Sequence, residues 1–156
     1  MEASGPPARP TGWRRLLYRA PIHLYRLGLG WLLGSRFVLI EHIGRTTGLV
    51  RRTVVEVVDR DGATVTVAAG FGTRSDWYRN LLARPDATIQ LGRRRLAVHA
   101  VDLPPGDRAK ALLHYVHKHP RAARGLAKFM GFRVDGSESD YREMAEHLHM
   151  LRLEAR

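Results

Sequence analysis

The sequence predicts an α+β fold of about six mostly antiparallel strands with flanking helices. Short Val-rich runs follow one another across turn signals such as Asp61-Gly62, which is typical of β-hairpins. Segments with helical periodicity stand at the start, in the middle and at the end of the chain rather than between all consecutive strands. Because an open sheet leaves unpaired edges, we expect the strands to close into a short barrel.

The N-terminal residues predict a tail and a helix. Residues 1–10, which include Pro and Gly, predict a disordered tail, and residues 11–34 predict an amphipathic helix that Pro21 breaks or restarts. One side of this helix is basic and the other is rich in Trp and Leu: Arg15, Arg19, His23 and Arg26 against Trp13, Leu17, Leu24, Leu27 and Trp31. It can pack on its own domain or lie on an anionic membrane surface, but the apolar run 27–33 is too short to span a bilayer.

Residues 35–156 predict one domain that contains the barrel. Its strands are expected at 37–43, 53–59, 64–69, 87–91, 95–103 and 150–154, the last of which could close the sheet. Ser75 or Asp76 can cap a helix that ends near Ala83, before Pro85. Further helices are expected from the Pro104-Pro105 pair to residue 119, over 121–130 and over 140–147.

The composition limits the chemistry. The chain has no cysteine, which excludes disulfides, thiolate metal sites and cysteine nucleophiles. The formal net charge of +11 comes almost entirely from arginine, so the chain either binds an anionic partner or reflects a general bias toward arginine. No secretory signal is visible at the N-terminus, and we expect a cytoplasmic protein.

Residues 44–53, with the sequence GRTTGLVRRT, predict either a polar turn or a phosphate cradle. Glycines allow the backbone to approach an anion closely, and threonine hydroxyls and guanidinium groups supply hydrogen-bond donors. The segment is not a P-loop, because no Gly-Lys-Ser/Thr ends it and it joins strand to strand.

A second loop, residues 70–81 with the sequence GFGTRSDWYRNL, ends in a helix start whose free amides would attract negative charge. Of Trp77 and Tyr78, one could pack against a planar ring while the other anchors the core. Burial in the core explains Trp77 equally well. Together, the two loops suggest one anionic, phosphate-bearing ligand.

Other chemistries find little support. His114, His117 and His119 have the spacing of metal ligands, but no neighbouring carboxylate or cysteine completes a set, so no metal is expected. No Gly-x-Ser-x-Gly motif supports a serine hydrolase. The basic turn 93–95 lacks stacking aromatic residues, so no nucleic-acid partner is expected.

The order Gly-Arg-x-Ser/Thr-Gly-x-x-Arg, a hairpin, Gly-x-Gly and then Trp-Tyr-x-Asn-Leu resembles the deazaflavin (F420)-dependent nitroreductase family, also described as F420H2-dependent quinone reductases. The matching residues are Gly44, Arg45, Thr47, Gly48, Arg51 or Arg52, Gly70, Gly72, Trp77, Tyr78, Asn80, Leu81 and Pro85. The resemblance covers residues 37–103 firmly. Two departures stand out: Thr46 replaces a common lysine, and Leu49-Val50-Arg51 replaces Lys-Pro-Arg.

The resemblance implies a split β-barrel related to the FMN-binding and pyridoxamine-phosphate-oxidase folds, and it implies coenzyme F420, an 8-hydroxy-5-deazaflavin with a phosphodiester and an oligoglutamate tail. Arg45, Thr46, Thr47, Gly48, Arg51, Arg52 and Thr53 would hold the phosphate and tail. Ala69, Gly70, Phe71, Gly72, Trp77, Tyr78 and Asn80 would surround the ring.

The implied reaction is hydride transfer from C5 of the reduced ring to a quinone, a nitro compound or a lipid-like enone. Tyr115, Tyr141 or water would protonate the product. The alternatives are a split-barrel protein that binds FMN or haem, and a non-enzymatic basic module that docks on membrane. We expect a monomer or homodimer, peripheral at the cytoplasmic membrane face if residues 13–33 bind lipid.

Overall fold

The computed structural model, which describes residues 2–3, 36–69, 72–129, 132–133 and 136–156, contains a closed barrel of six antiparallel strands. In chain order these strands are β2 (Phe37–Ile43), β3 (Val50–Asp61), β4 (Thr64–Ala69), β5 (Asp86–Leu91), β6 (Arg94–Asp102) and β8 (His149–Ala155). Around the barrel their order is β2-β3-β4-β8-β6-β5, and β5 pairs with β2 again. The predicted split-barrel architecture of about six mostly antiparallel strands is confirmed.

The strand pattern follows from the alternation of side chains. In β2, Val38, Ile40 and His42 face the barrel interior, and each lies opposite a β3 residue on the same face. The β2–β3 ladder extends to the pair Ile43 and Val50, so β3 begins three residues earlier than the predicted 53–59 strand. The terminal strand β8 pairs with both β4 and β6, which removes the last free edges, as the sequence predicted.

The helices form a separate layer. They are α1 (Asp76–Ala83), α2 (Pro105–Lys118), α3 (Pro120–Phe129) and α4 (Glu138–Glu146), with a 3-10 turn at Gly72–Arg74. Buried residues of α2, α3 and α4 pack with Val58 of β3 and Met150 of β8 in one core cluster. A second cluster fills the barrel interior. The helices after β6 therefore cover the outside of the barrel on the side of β3 and β8.

Helix α1 closes one end of the barrel, which we call the α1 end. The register of the pairs places the end of β2, the start of β3, the end of β4, the start of β5, the end of β6 and the start of β8 at this end. Tyr78 and Leu81 of α1 belong to the interior cluster and are almost completely buried. Both loops singled out in the sequence therefore lie at the same end.

At the N-terminus, Glu2–Ala3 form a two-residue strand, β1, that pairs with β7 (Phe132–Arg133). Residues 1–10 were predicted as a disordered tail, and this pairing departs from that prediction at two of them, because an extended backbone can pair whatever its side chains are. Residues 4–10 and the predicted helix at 11–34 lie outside the described residues.

Candidate functional site

The β2–β3 loop, residues 44–49, is closed by its own backbone. The amide of Gly44 donates to the carbonyl of Leu49 at 2.8 Å, and the amide of Gly48 donates to the carbonyl of Gly44 at 2.8 Å. A Cβ atom on Gly44 would lie 2.5 Å from Thr47 Oγ1, and Gly48 has a φ of 70°. Both glycines are therefore required by the loop itself, which leaves Thr46 and Thr47 exposed.

Arg45 ties this loop to α1. Its backbone amide and its Nη1 both donate to Asn80 Oδ1, at 3.1 and 2.7 Å. Its Nη2 lies 3.4 Å from Asp76 Oδ1, and the side chain is 27% exposed. Arg45 was predicted to hold phosphate; in the structure its backbone amide and both terminal guanidinium nitrogens have partners on α1. Its first role is to fix the loop against the helix.

Asn80 is buried, and both polar atoms of its side-chain amide have partners within the protein. Its Nδ2 lies 3.1 Å from His42 Nδ1, while its Oδ1 accepts from Arg45. It was predicted to place the cofactor ring, but at 4% exposure it is a connector between β2, the loop and α1. Burial and the nearby positive charge of Arg51 lower the pKa of His42 from 6.5 to about 4, against a smaller opposing effect of Asp76.

Arg51 and Arg52 point to opposite faces of β3. Arg51 lies opposite His42, on the interior face at the mouth of the barrel. Arg52 lies opposite Glu41, and its Nη2 is 3.3 Å from Glu41 Oε2, while Arg95 Nη2 is 2.5 Å from Glu41 Oε1. Both arginines are exposed, but only Arg52 has an ion pair among the interactions of the described residues. Of the two residues that the family motif left open, Arg51 thus lies on the interior face and Arg52 on the face that carries Glu41.

The remaining predicted cofactor residues have mixed positions. Thr53 is half-buried on β3. Ala69 is 1% exposed and belongs to the cluster in the barrel interior. Gly70 and Phe71 lie outside the described residues, and Gly72 begins the 3-10 turn before α1.

The start of α1 contains an unsatisfied polar group. Ser75 precedes the helix as its N-cap residue, but its side chain makes no capping hydrogen bond. It is 6% exposed, and its Oγ has no hydrogen-bond partner among the described residues. Such a group is costly unless something else bonds it. The amides of the first turn and this hydroxyl therefore form a donor-rich start of the helix, beside the exposed carboxylate of Asp76.

Trp77 and Tyr78 divide their roles. Tyr78 is 2% exposed, and its hydroxyl donates to Asp102 Oδ1 at 3.1 Å and lies 3.4 Å from His149 Nδ1. Burial and Asp102 raise the pKa of Tyr78 to about 12. Tyr78 therefore anchors the core, which is one of the two roles that the sequence left open for Trp77 and Tyr78. Trp77 is only partly buried, and its ring lies nearly perpendicular to that of Tyr78, with the ring centroids 6.3 Å apart.

The two tyrosines predicted as proton donors belong to the helical layer. Tyr115 is 2% exposed and donates to Glu56 Oε1 at 2.7 Å, which together with burial raises its pKa. Six residues of β3, roughly 20 Å, separate Glu56 from Val50 at the β2–β3 loop. Tyr141 is 1% exposed in the same helical core, and burial raises its pKa. This packing gives no support to the prediction that either one protonates the product.

The two concavities at α2 are away from the α1-end loops. One, of about 760 Å³, contains His114, whose Nδ1 lies 2.7 Å from Asp59 Oδ1, and the other, of about 470 Å³, contains Tyr115. Neither is lined by residues of the β2–β3 loop or of α1. Within the described part of the chain, no three histidine, cysteine or carboxylate side chains group as a metal site. We therefore place the candidate site at the α1 end, where the donors converge.

The sequence interpretation missed His42 and His149. His42 stands at an inward position of β2, where the other inward residues, Val38 and Ile40, are apolar, and an ionisable residue in such a position signals a buried polar partner. His149 is the first residue of the last strand and reaches the buried hydroxyl of Tyr78, and burial lowers its pKa. Only the first of these could have been noticed from the pattern alone.

Comparisons of the sequence with known proteins give two matches of the same description. The sequence profile of the family described as F420H(2)-dependent quinone reductase matches residues 19–125. A curated putative F420H(2)-dependent quinone reductase of Mycobacterium tuberculosis H37Rv is 34% identical over 87 residues, which are 54% of this chain and 73% of that protein.

Two solved structures share the fold. One, described as an F420-H2 dependent reductase (FDR-A), has a TM-score of 0.55 and 20% identity over 78% of this chain and 96% of its own. The other, a pyridoxamine 5′-phosphate oxidase-related, FMN-binding protein of Nostoc punctiforme, has a TM-score of 0.54 and 16% identity over 94% of this chain and 81% of its own. With the family profile matched over most of the chain, this protein belongs to the F420H2-dependent quinone reductase family and is an oxidoreductase that uses coenzyme F420.

Proposed function

We propose that this F420-dependent oxidoreductase reduces a quinone, with nitro compounds and lipid-like enones as further acceptors of the same hydride. The observation that carries the proposal is the convergence of donors at the α1 end: the exposed Arg51, the exposed β2–β3 loop and the unpartnered Ser75 Oγ at the start of α1. An anionic ligand is what such donors bind.

The residues present fit the cofactor. Arg51 would pair with its phosphate or tail, and the tip of the loop at Thr46 and Thr47 would offer backbone and hydroxyl donors. Ser75 Oγ would gain the partner that it lacks within the described protein. The partly buried Trp77 would pack on the ring. When bound, the reduced deazaflavin supplies a hydride, and the quinone becomes a hydroquinone by taking up that hydride and one proton from solvent.

The protein contributes position rather than reactive groups. Arg45 holds the loop against α1 through Asn80, so the groups around a bound ligand are fixed before it arrives. The α1 plug, through Tyr78 and Leu81, closes the barrel beneath this surface and keeps water out of its interior. Hydride acceptance then depends on how the acceptor stacks beside the cofactor.

The pair Arg51 and Arg52 provides a matched test. Arg51→Ala and Arg52→Ala remove the same charge from adjacent residues, so any effect of net charge is equal. Titration with F420, followed by quenching of tryptophan fluorescence, should show roughly tenfold weaker binding for Arg51→Ala and less than about twofold change for Arg52→Ala. Equal losses would contradict the assignment of Arg51, and tight binding of FMN without F420 binding would contradict the proposed function.

The acceptor can be identified by oxidation of reduced F420 in the presence of a menaquinone, a nitroaromatic compound or an unsaturated lipid. Under the proposal, the quinone gives the highest kcat/KM. If no quinone is reduced while a nitro compound is, the family chemistry stands but the proposed acceptor is wrong.

We also propose that residues 13–33 attach the protein to anionic membranes, where lipid-soluble quinones reside. The support is the basic and Trp/Leu stripes of the sequence; among the described residues, no helix is long and apolar enough to cross a bilayer. In the full chain, Arg15→Glu with Arg19→Glu should abolish pelleting with anionic vesicles. Arg93→Glu with Arg94→Glu, an equal change of charge, should leave it intact. Equal loss in both variants would contradict a specific role of the helix.

A further inference from the structure

A chain of three polar side chains runs from the barrel interior to the β2–β3 loop. His42 is 3% exposed at an inward position of β2, where its neighbours Val38 and Ile40 are apolar. Placing an imidazole there costs free energy unless it is hydrogen-bonded. Its partner is Asn80, which in turn bonds Arg45. The chain therefore links a core residue to the loop that carries the proposed cofactor contacts.

The donors and acceptors of this chain allow one arrangement. Both groups that Arg45 directs at Asn80, a backbone N–H and a guanidinium N–H, are donors, so the amide atom that faces them must be the oxygen. The amide nitrogen of Asn80 therefore faces His42 Nδ1 and donates to it at 3.1 Å. His42 must accept at Nδ1, which requires the neutral ring with its proton on Nε2.

We propose that His42 is a positioning residue that sets the orientation of the Asn80 amide and thereby holds Arg45 and the β2–β3 loop in the arrangement that receives F420. Only the link from the loop arrangement to F420 binding rests on the proposed function. The His42–Asn80–Arg45 chain, defined by these three residues, exists in the protein without cofactor and can be tested there.

The charged groups around His42 favour its accepting form. Burial opposes protonation of the ring, and so does Arg51, which faces His42 from β3 across the strand pair. Asp76 on α1 favours protonation. A protonated His42 would direct an N–H at the Asn80 NH2 group. To separate these two donors the Asn80 amide would have to rotate. Rotation would replace the oxygen that accepts from Arg45 with a donor. The chain thus has two arrangements, of which only one holds the loop.

Three variants test the chain, first by hydrogen exchange of the Arg45 backbone amide, which donates to Asn80 Oδ1. His42→Leu fits an apolar barrel but accepts nothing, and it should lower the protection of this amide at least tenfold. His42→Asn retains an acceptor near the position of Nδ1 and should keep protection within about threefold of wild type. Unchanged protection in His42→Leu would overturn the proposal.

Asn80→Asp tests the direction of the hydrogen bond should His42→Leu fail to fold. A carboxylate accepts from Arg45 but cannot donate to His42, so the ring should take up a proton. NMR titration should then place the midpoint of His42 above 6.5 instead of about 4. A midpoint that stays near 4 would show that the side chain at position 80 does not contact the His42 ring and would overturn the proposal.

The effect of the His42–Asn80–Arg45 chain on cofactor binding is measured as the Kd of F420 by tryptophan quenching. We expect binding to weaken about tenfold in His42→Leu and to recover to within about threefold of wild type in His42→Asn. Loss of Arg45 protection without any change in Kd would refute the role in cofactor binding. If the wild-type protein itself binds no F420, the proposed function fails, while the exchange and titration experiments still decide the role of His42 in the loop.

Discussion

The pH dependence of stability should carry a contribution from His42 that a single substitution removes. The pKa of His42 is about 4 in the fold and 6.5 in the unfolded chain, so the unfolded chain binds more protons as pH falls. The stabilisation that this difference represents is complete above pH 6.5 and is lost as pH falls toward 4. Between about pH 7 and pH 4.5 it amounts to roughly 2 kcal/mol, after allowance for solvent screening at the barrel mouth.

Asparagine at position 42 cannot take up a proton. Between about pH 7 and pH 4.5, the free energy of unfolding of the His42→Asn variant should therefore fall by about 2 kcal/mol less than that of wild type. Urea unfolding followed by tryptophan fluorescence at the two pH values measures the difference. His117→Asn, the same change at an exposed histidine of α2, is the control and should follow wild type. If the stabilities of His42→Asn and wild type fall in parallel with pH, then His42 does not titrate as a buried neutral ring and the reasoning fails.

Three further outcomes are expected. Tyr115→Phe should cost about 1–2 kcal/mol of stability in urea unfolding, because it removes a hydrogen bond to a carboxylate, yet leave the rate of quinone reduction unchanged; a large loss of rate would restore Tyr115 as a proton donor. Gly48→Ala, at φ 70°, should cost about 1 kcal/mol, whereas Gly106→Ala, in open space on α2, should cost nothing; equal effects would contradict the strain argument. Thr46→Lys should tighten F420 binding roughly fivefold at low salt, and no change would place the loop tip away from the cofactor's charges.

The fold was largely predictable because its signals are local. The alternation of apolar residues and the Asp61-Gly62 turn predicted the strands. The alternating residues 150–154 predicted the strand that closes the barrel. The boundaries were less accurate. Val50 was assigned to the loop because Arg51 and Arg52 interrupt the apolar pattern, yet both arginines lie in a paired strand with Val50 at its start. Cross-strand pairing overrides the polarity of individual residues at a barrel end.

The site was predictable as a pair of loops but not as a set of roles. The sequence indicated that two loops serve one ligand, and the barrel places both at the α1 end. The sequence could not indicate that the Asn80 side-chain amide bonds Arg45 and His42, since those contacts join residues more than thirty positions apart. Nor could it separate Tyr78, which is buried, from Trp77, which remains partly open, without the direction in which α1 enters the barrel.

The charge of the α1 end is smaller than the composition indicates. The chain has 26 basic and 15 acidic residues, but Arg45 is engaged with Asp76 and Asn80, and Arg52 shares Glu41 with Arg95. We therefore expect Arg52, which lies on the opposite face of β3 from Arg51, to contribute less charge to the cofactor than the lysine that Thr46 replaces. The phosphate of the cofactor would then be held mainly by backbone amides, hydroxyls and one arginine. Hydrogen bonds from neutral donors are less sensitive to salt than ion pairs, so F420 should remain bound at ionic strengths that remove ligands held only by net charge.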